Sequence, residues 1–533
     1  MAPVTIASQD TARSHYDRLV LPSDANRSGR RAREGHRQRG SRPARRRGAL
    51  ERPVSSGLYR ASWGLAAVAL LVAAFTVARP EPLPLPRLVP SFDETTATAF
   101  ARELTRRFPD RAPGSAGSRG AADWVAARLG EYGYEAERHE FTAVLPGLGR
   151  RKLANLVAVA PGRSPQTIVL AAHRDNDGRS PGANDNASGT GALLELARNA
   201  RTAPPAHTLV FLSTDGGAFG ALGAARFAAD PAALDRLVGG SVSVATVVSL
   251  DALAGPGPPR LVFAGEAARS PAAALLATAD ASLRAETGRA AARPGGFAQL
   301  VDLGFPFTLH EQGPFVARGT PAVTITTGGE RPTSPETDTL ERFEPARVGP
   351  VGRSVQLLVT AVDESAEVAR GTQSYLYFGS RLLHGWTIQF VLLAALVPFL
   401  VATVDLFARC RRRHIRLAPA FRSLRSRLGV WTWLGVVFSL FAVFGLLADG
   451  EARPINPSSP AAREWPLAAL LGVGGLAALG WLIARPRLAP NRDVARPEEL
   501  AGHLAALLAL AVVALVLAAT NPYALLFVLP SLH

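Results

Sequence analysis

Cysteine is all but absent from this chain. Cys410 is the only one in 533 residues, so no intrachain disulfide can form, and a domain outside the cytoplasm must be held by its core alone. Lysine is as scarce: Lys152 is the sole example, and the rest of the 59 Lys and Arg residues are arginine. Apolar residues are sparse in the first sixty positions, where RSGRRAREGHRQRGSRPARRR dominates. Such a segment cannot bury enough apolar surface to offset the entropy of ordering, so residues 1–60 are expected to form a disordered basic tail. Charge, in turn, is absent from Ala61–Ala78, a run close to the ~20 residues that cross a bilayer. The basic lead assigns the tail to the cytoplasmic side of a retained anchor, and no nucleic-acid partner is expected.

Past the anchor, the Pro-rich stretch 79–91 (RPEPLPLPRLVPS) reads as an extended spacer. Globular patterning follows over 92–366. Helical spacing of apolar residues predicts helices over 93–107, 119–132, 188–200, 220–229 and 271–286. Short β-branched runs predict strands at Asn155–Val159, Thr167–Ala171, Thr208–Leu212, Val244–Leu250 and Ala322–Thr326. Strands alternating with helices imply an α/β fold with a doubly wound, mostly parallel sheet. Ligands gather at the carboxyl ends of such strands, and His173, Asp215 and Asp251 all fall there. After a linker over 367–385, four apolar runs near 386–408, 429–448, 466–484 and 501–519 predict an all-α transmembrane bundle within 386–533. The connection 409–427 is strongly basic and that at 449–465 is mixed, which puts 92–384 on the extracytoplasmic side of a multi-pass protein. The final NPYALLFVLPSLH is either part of a sixth span or a short interfacial tail.

Chemistry concentrates in LAAHRDNDGRSPGANDNASGTGALLELA, residues 170–197. His173 ends an apolar strand, and neutral imidazole suits zinc. Asp175, two residues on, is placed to orient that imidazole. Asp185 lies in a Gly/Asn/Ser-rich turn before a helix, and Asp251 follows the strand VATVVSL. Each carboxylate is positioned to join His173 on a metal ion.

These segments, with the leader RAPGSAGSRGAADWVAARLGEYGYEAE, the strand TLVFLSTDG and the later GPFVARGTPAVTITT, resemble the co-catalytic zinc aminopeptidases of metallopeptidase family twenty-eight over roughly 95–365. The resemblance implies the zinc-exopeptidase fold, which the glutaminyl cyclases share. It also implies two zinc ions, with His173, Asp185 and Asp251 matching the ligands of one and Asp185 as the bridge. The family carries DGEExGLxGS where this chain reads DGGAFGALGA, Asp215 to Ala224. The position of the catalytic base is therefore Gly217, and a second-metal ligand position is Ala218. The late histidine ligand of the family is replaced by Ser334 or Thr333 in RPTSPETDT. One zinc is expected and a second is not. Asp215 as a substitute base, and His310 and Glu311 as displaced ligands, stay open.

A general base typically contributes ~10²–10⁴-fold in rate, and Gly and Ala supply none. The expected function is a membrane-anchored pseudopeptidase whose outer domain binds peptides or partner proteins. An active aminopeptidase with a non-standard site is the alternative, as is a membrane scaffold or sensor.

Overall fold

The structure is a computed structural model. It describes residues 55–533 apart from 203, 239, 241–242, 330–336, 366–370, 445, 448–452, 460–466 and 489–494. The expected disordered tail thus lies outside the described residues, save for its last few positions.

The first helix, α1 (Ser56–Phe75), begins and ends earlier than the uncharged run implies. Val77–Ala78 leaves the helix as a short strand, β1. In chain order there follow α2 (Glu94–Arg107), α3 (Ala116–Glu131), β2 (Ala136–Leu145), β3 (Gly149–Ala160) and β4 (Ser164–His173). Then come α4 (Gly189–Ala200), β5 (His207–Thr214), α5 (Leu222–Ala228), α6 (Pro231–Val238), β6 (Ser243–Asp251) and β7 (Arg260–Val262). The unit continues through β8 (Ser270–Pro271), α7 (Ala273–Thr287), α8 (Gly296–Gly304), α9 (Gln312–Ala317), β9 (Ala322–Thr326) and α10 (Pro345–Asp363).

Seven strands form one sheet in the order β2-β3-β5-β4-β6-β9-β7. Its centre is parallel, with β4 between β5 and β6 and β9 beside β6. Its margins are antiparallel: β2 with β3, β3 with β5, and β7 with β9. The sheet is therefore mixed, not mostly parallel. The antiparallel β2 was hidden in the sequence because AERHEFTAVL is an edge strand with alternating exposed positions, whose polar residues guard against edge pairing.

The pleat sends alternate side chains to two cores. Ile168 and Leu170 pack with Leu156, Phe211, Val248 and Ile325 beneath α2, α3, α4, α7 and α10. Val169 and Ala171 face the other way, with Val210, Leu212 and Val247 against Ala224, Phe227, Leu234 and Phe315. Both faces are thus covered, as a central parallel sheet requires.

The stretch expected to be a bare linker, 367–385, contains β10 (Thr372–Gln373), β11 (Tyr375–Phe378) and β12 (Arg381–His384). β12 pairs with both β11 and β1, and Tyr375 is buried. Next come α11 (Gly385–Arg412), α12 (Ala418–Ser426), α13 (Leu428–Val443), α14 (Leu467–Leu488), α15 (Arg496–Thr520) and α16 (Leu525–Leu532). Among the described residues, five helices are long and apolar enough to cross a membrane, with α12 and α13 counted as one. At eight residues α16 is too short to cross; the C-terminal apolar stretch packs against α11 and α15 instead.

The helices α1 and α11 run antiparallel for about 30 Å, the length of a 20-residue helix. At one end the Ser55 amide donates to Asp405 Oδ2 at 2.7 Å, and at the other Thr76 Oγ1 lies 3.0 Å from Thr387 Oγ1. That second end meets the α/β unit, as does the end of α15, where Asn521 Nδ2 donates to the carbonyls of Leu303 and Gly304 at 2.9 and 3.1 Å.

Candidate metal centre

Because β4 and β6 are adjacent and parallel, their final residues, His173 and Asp251, emerge side by side on one rim. Asp185 reaches them from the turn that precedes α4. Two asparagines stitch that turn to the end of β6. Asn186 Nδ2 donates to the Leu250 carbonyl at 2.8 Å and its Oδ1 accepts from the Ala252 amide at 3.0 Å. Asn184 Oδ1 accepts from the Ala254 amide at 2.7 Å. The approach is close enough that a Cβ at Gly189 would fall 2.4 Å from the Leu250 carbonyl oxygen, so only glycine fits there.

The result is one group of donors. His173, Asp185 and Asp251 each offer an atom within 4.8 Å of the others, and this is the one such group among the described residues. His173 Nε2 lies 3.1 Å from Asp185 Oδ1 and 3.7 Å from Asp251 Oδ1. A tetrahedral zinc ion with bonds of ~2.1 Å separates its donors by ~3.4 Å, so these three residues are spaced to hold one ion. The imidazole is oriented for this. His173 Nδ1 lies 3.2 Å from the Asp175 backbone carbonyl; a proton held there leaves Nε2 to face the carboxylates.

Charge balance points the same way. Burial disfavours a charged imidazole, yet the hydrogen-bonding carboxylates around His173 raise its pKa well above the usual value. Burial likewise works against ionised Asp251, but hydrogen bonds from His173 and His310 outweigh it and hold that carboxyl well below the usual range. The rim therefore demands positive charge, which a proton or a divalent cation can supply.

The remaining expected residues fall as follows. The carboxylate of Asp175 lies 3.5 Å from His173 Nδ1, farther than its own backbone carbonyl. It accepts the amides of Gly217 and Ala218 at 2.8 and 3.1 Å instead, and so pins the turn that begins at Gly217. Gly217 and Ala218 both line the cleft. A Cβ at Gly217 would fall 2.2 Å from His173 Cγ and 2.3 Å from its Cβ; the imidazole occupies the space a side chain at 217 would use. Ser334 and Thr333 lie outside the described residues. Asp215 follows β5 but turns inward, where Arg174 Nη2, Ser118 and the Ala154 amide hold it. Burial lifts it to about 6 even though Arg174 opposes the shift, and it does not line the cleft.

His310 Nδ1 donates to Asp251 Oδ2 at 2.7 Å. Glu311 also faces the cleft, with one carboxylate oxygen taken by Thr214 and the other by Ser249 at 2.9 Å. Two contributors escaped the sequence reading. Asp338 accepts the amides of Asn184 and Asp185 at 2.7 and 2.8 Å, and burial raises it to about 6. Arg111, fully buried, donates to the carbonyls of Phe108, Arg174, Pro181 and Gly182 at 2.8–2.9 Å and so clamps the loop between His173 and Asp185. Arg111 sits in the RAPGSAGS turn, where nothing in its composition marks an arginine as buried.

One imidazole and two carboxylates gathered on the carboxyl rim of a mixed α/β sheet are a donor set that suits zinc. Residues 155–357 match Peptidase family M28, and the chain carries a domain of that family. It is 27% identical over 150 residues to the alkaline phosphatase isozyme conversion protein of Escherichia coli strain K12, covering 24% of this chain and 44% of that protein. It is 34% identical over 123 residues to a probable zinc metalloprotease of Pyricularia oryzae, covering 20% and 24%. The chain thus spans less than half the length of these curated relatives. A solved Zn-dependent exopeptidase from Parabacteroides distasonis is similar at 19% identity and a TM-score of 0.42, over 51% of this chain and 99% of that one.

Proposed function

We propose that this is a membrane-anchored protein whose extracytoplasmic M28 domain holds one zinc ion on His173, Asp185 and Asp251 and binds peptide-like or protein ligands without cleaving them. Zinc, when bound, would supply a Lewis-acid contact for a ligand carbonyl or amine. The observation that carries the proposal is at Gly217. No side chain can act from that position while His173 stands where it does, and Ala218 beside it has no donor. The other buried carboxylates of the cleft are engaged: Glu311 with two hydroxyls and Asp338 with two backbone amides.

Membrane placement rests on the helices. Among the described residues five are long and apolar enough to cross, and the ends of α1, α11 and α15 that meet the α/β unit lie opposite the arginine-rich connection at 409–427. Basic connections stay cytoplasmic, so the α/β unit falls outside.

A second reading has one observation in its favour. A buried cleft carboxylate held near 6, Asp338, is of the kind that serves as a general base, which would make the protein an active aminopeptidase. Purified full-length protein, loaded with zinc and incubated with aminoacyl-nitroanilides, separates the two. No turnover above buffer is expected. Turnover that Asp185→Asn abolishes would overturn the non-cleaving reading.

A further inference from the structure

The cleft over the metal donors is not built by the α/β unit alone. Ile455 and Pro457, from the connection between α13 and α14, line it together with His173, Asp185, Asp251 and Gly220. Two sets of contacts fasten this segment across the opening. On one side the Ile455 amide donates to the Phe219 carbonyl at 3.0 Å, in the turn that begins at Gly217. The Ile455 side chain rests on bare Gly220, where a Cβ would stand 3.0–3.2 Å from it; Gly220 is also in the left-handed region, with φ +84°, where glycine is favoured. On the other side Arg453 forms an ion pair with Glu266 and points Nη2 at the Thr308 carbonyl at 3.5 Å, two residues from His310. Arg453 is largely buried, and a buried guanidinium is rarely tolerated without a partner. The segment is therefore anchored at both margins of the cleft, with its apolar side chains turned toward the metal donors.

We propose that residues 453–459 form the selective wall of the site, and that Ile455 decides which side chain a metal-held, peptide-like ligand can present. This deepens the reading above and rests on it. The two side chains that the segment places on the cleft, Ile455 and Pro457, are apolar, as are Leu309 and Ala252 on the same cleft, so the ligand they fit presents an apolar side chain beside the group that meets the metal. The membrane bundle then takes part in recognition as well as anchoring. A ligand for the M28 domain is read partly by a segment more than two hundred residues downstream of Asp251.

The test uses the full chain in detergent, loaded with zinc, and titrates alanine, leucine and phenylalanine hydroxamates by calorimetry. Each probe brings its own metal-binding group and differs in the side chain alone. One large or small apolar change in a pocket shifts discrimination by roughly 10–200-fold. Ile455→Ala is expected to shift the phenylalanine-to-alanine preference at least tenfold toward phenylalanine. Ile455→Trp is expected to weaken the leucine and phenylalanine probes at least tenfold. Zinc content should match the parent in both variants, which separates a lost wall from a lost fold. Preferences within twofold of the parent in both variants would overturn the wall while leaving the metal site standing. Failure of the zinc-loaded parent to bind any of the three would overturn both, since there would be no ligand for the wall to select.

Discussion

Substituting alanine at Gly217 introduces a single methyl group, and the structure specifies where it goes. The new carbon would lie 2.2 Å from His173 Cγ. Carbon atoms in contact sit ~3.5–4.0 Å apart, so the pair is ~1.3 Å too close. Gly217 is not in the left-handed region, which removes backbone strain as a rival cause. The clash falls on the near end of the imidazole and not on a flexible tip, so His173 must move as a whole. Zinc ligands hold their distances to ~0.2 Å, and a shift several times larger removes one of three donors. Gly217→Ala is therefore expected to weaken zinc binding by at least the ~10–100-fold seen when ligand orientation is disturbed. The overpacking itself should cost about 1–3 kcal/mol of stability. Competition against a chelator of known affinity reads the first effect and thermal unfolding the second. Parent-like zinc affinity in Gly217→Ala would refute the packing on which the proposed function stands. By the same geometry, a glutamate at 217 does not simply restore a catalytic base, because its Cβ meets the same imidazole.

Three further outcomes are expected. Asp338 is raised to about 6 by burial, above its ordinary value near 4 in the unfolded chain. Its proton therefore stabilises the fold below about pH 4, and that contribution is lost as pH rises through about 6. The melting temperature of the parent minus that of Asp338→Asn should fall across this window, and a difference that is constant or grows would refute the assignment. Arg111→Met leaves four carbonyls without their buried donor. It should destabilise the protein by about 3–5 kcal/mol, read as a lowered unfolding midpoint, and an unchanged midpoint would contradict the clamp. In a Cys410→Ser background, Ser380→Cys and Ser458→Cys should react with an impermeant maleimide on intact cells, and Arg413→Cys should not; the reverse pattern would invert the orientation.

What the sequence made legible follows from how strongly each residue's surroundings act on its neighbours in the chain. Ala322–Thr326 is a β-branched run bounded by Pro321 and Gly328, and its strand matches to the residue. The parallel centre, β4 with β6, is apolar on both faces, and its strand ends bring His173 and Asp251 onto one rim. The edge strand β2 escaped because half its residues face solvent. Asp215 looked like a rim residue, but its partner Arg174, buried one residue after His173, draws it inward; a sequence does not show which of two neighbouring polar residues turns in. Asp338 acts through contacts 153 and 154 residues away, Arg111 chiefly through contacts 63 to 71 residues away and Ile455 through one more than 200 residues away, beyond the reach of any local period.

The most direct test of a site that holds metal without hydrolysing is a single sample measured twice. Full-length protein equilibrated with zinc at neutral pH is assayed for bound metal by elemental analysis and for cleavage of leucine nitroanilide. Bound zinc that Asp185→Asn removes, with no cleavage above buffer, is the expected result. Cleavage that Asp185→Asn abolishes, or a protein that takes up no zinc at all, would contradict it.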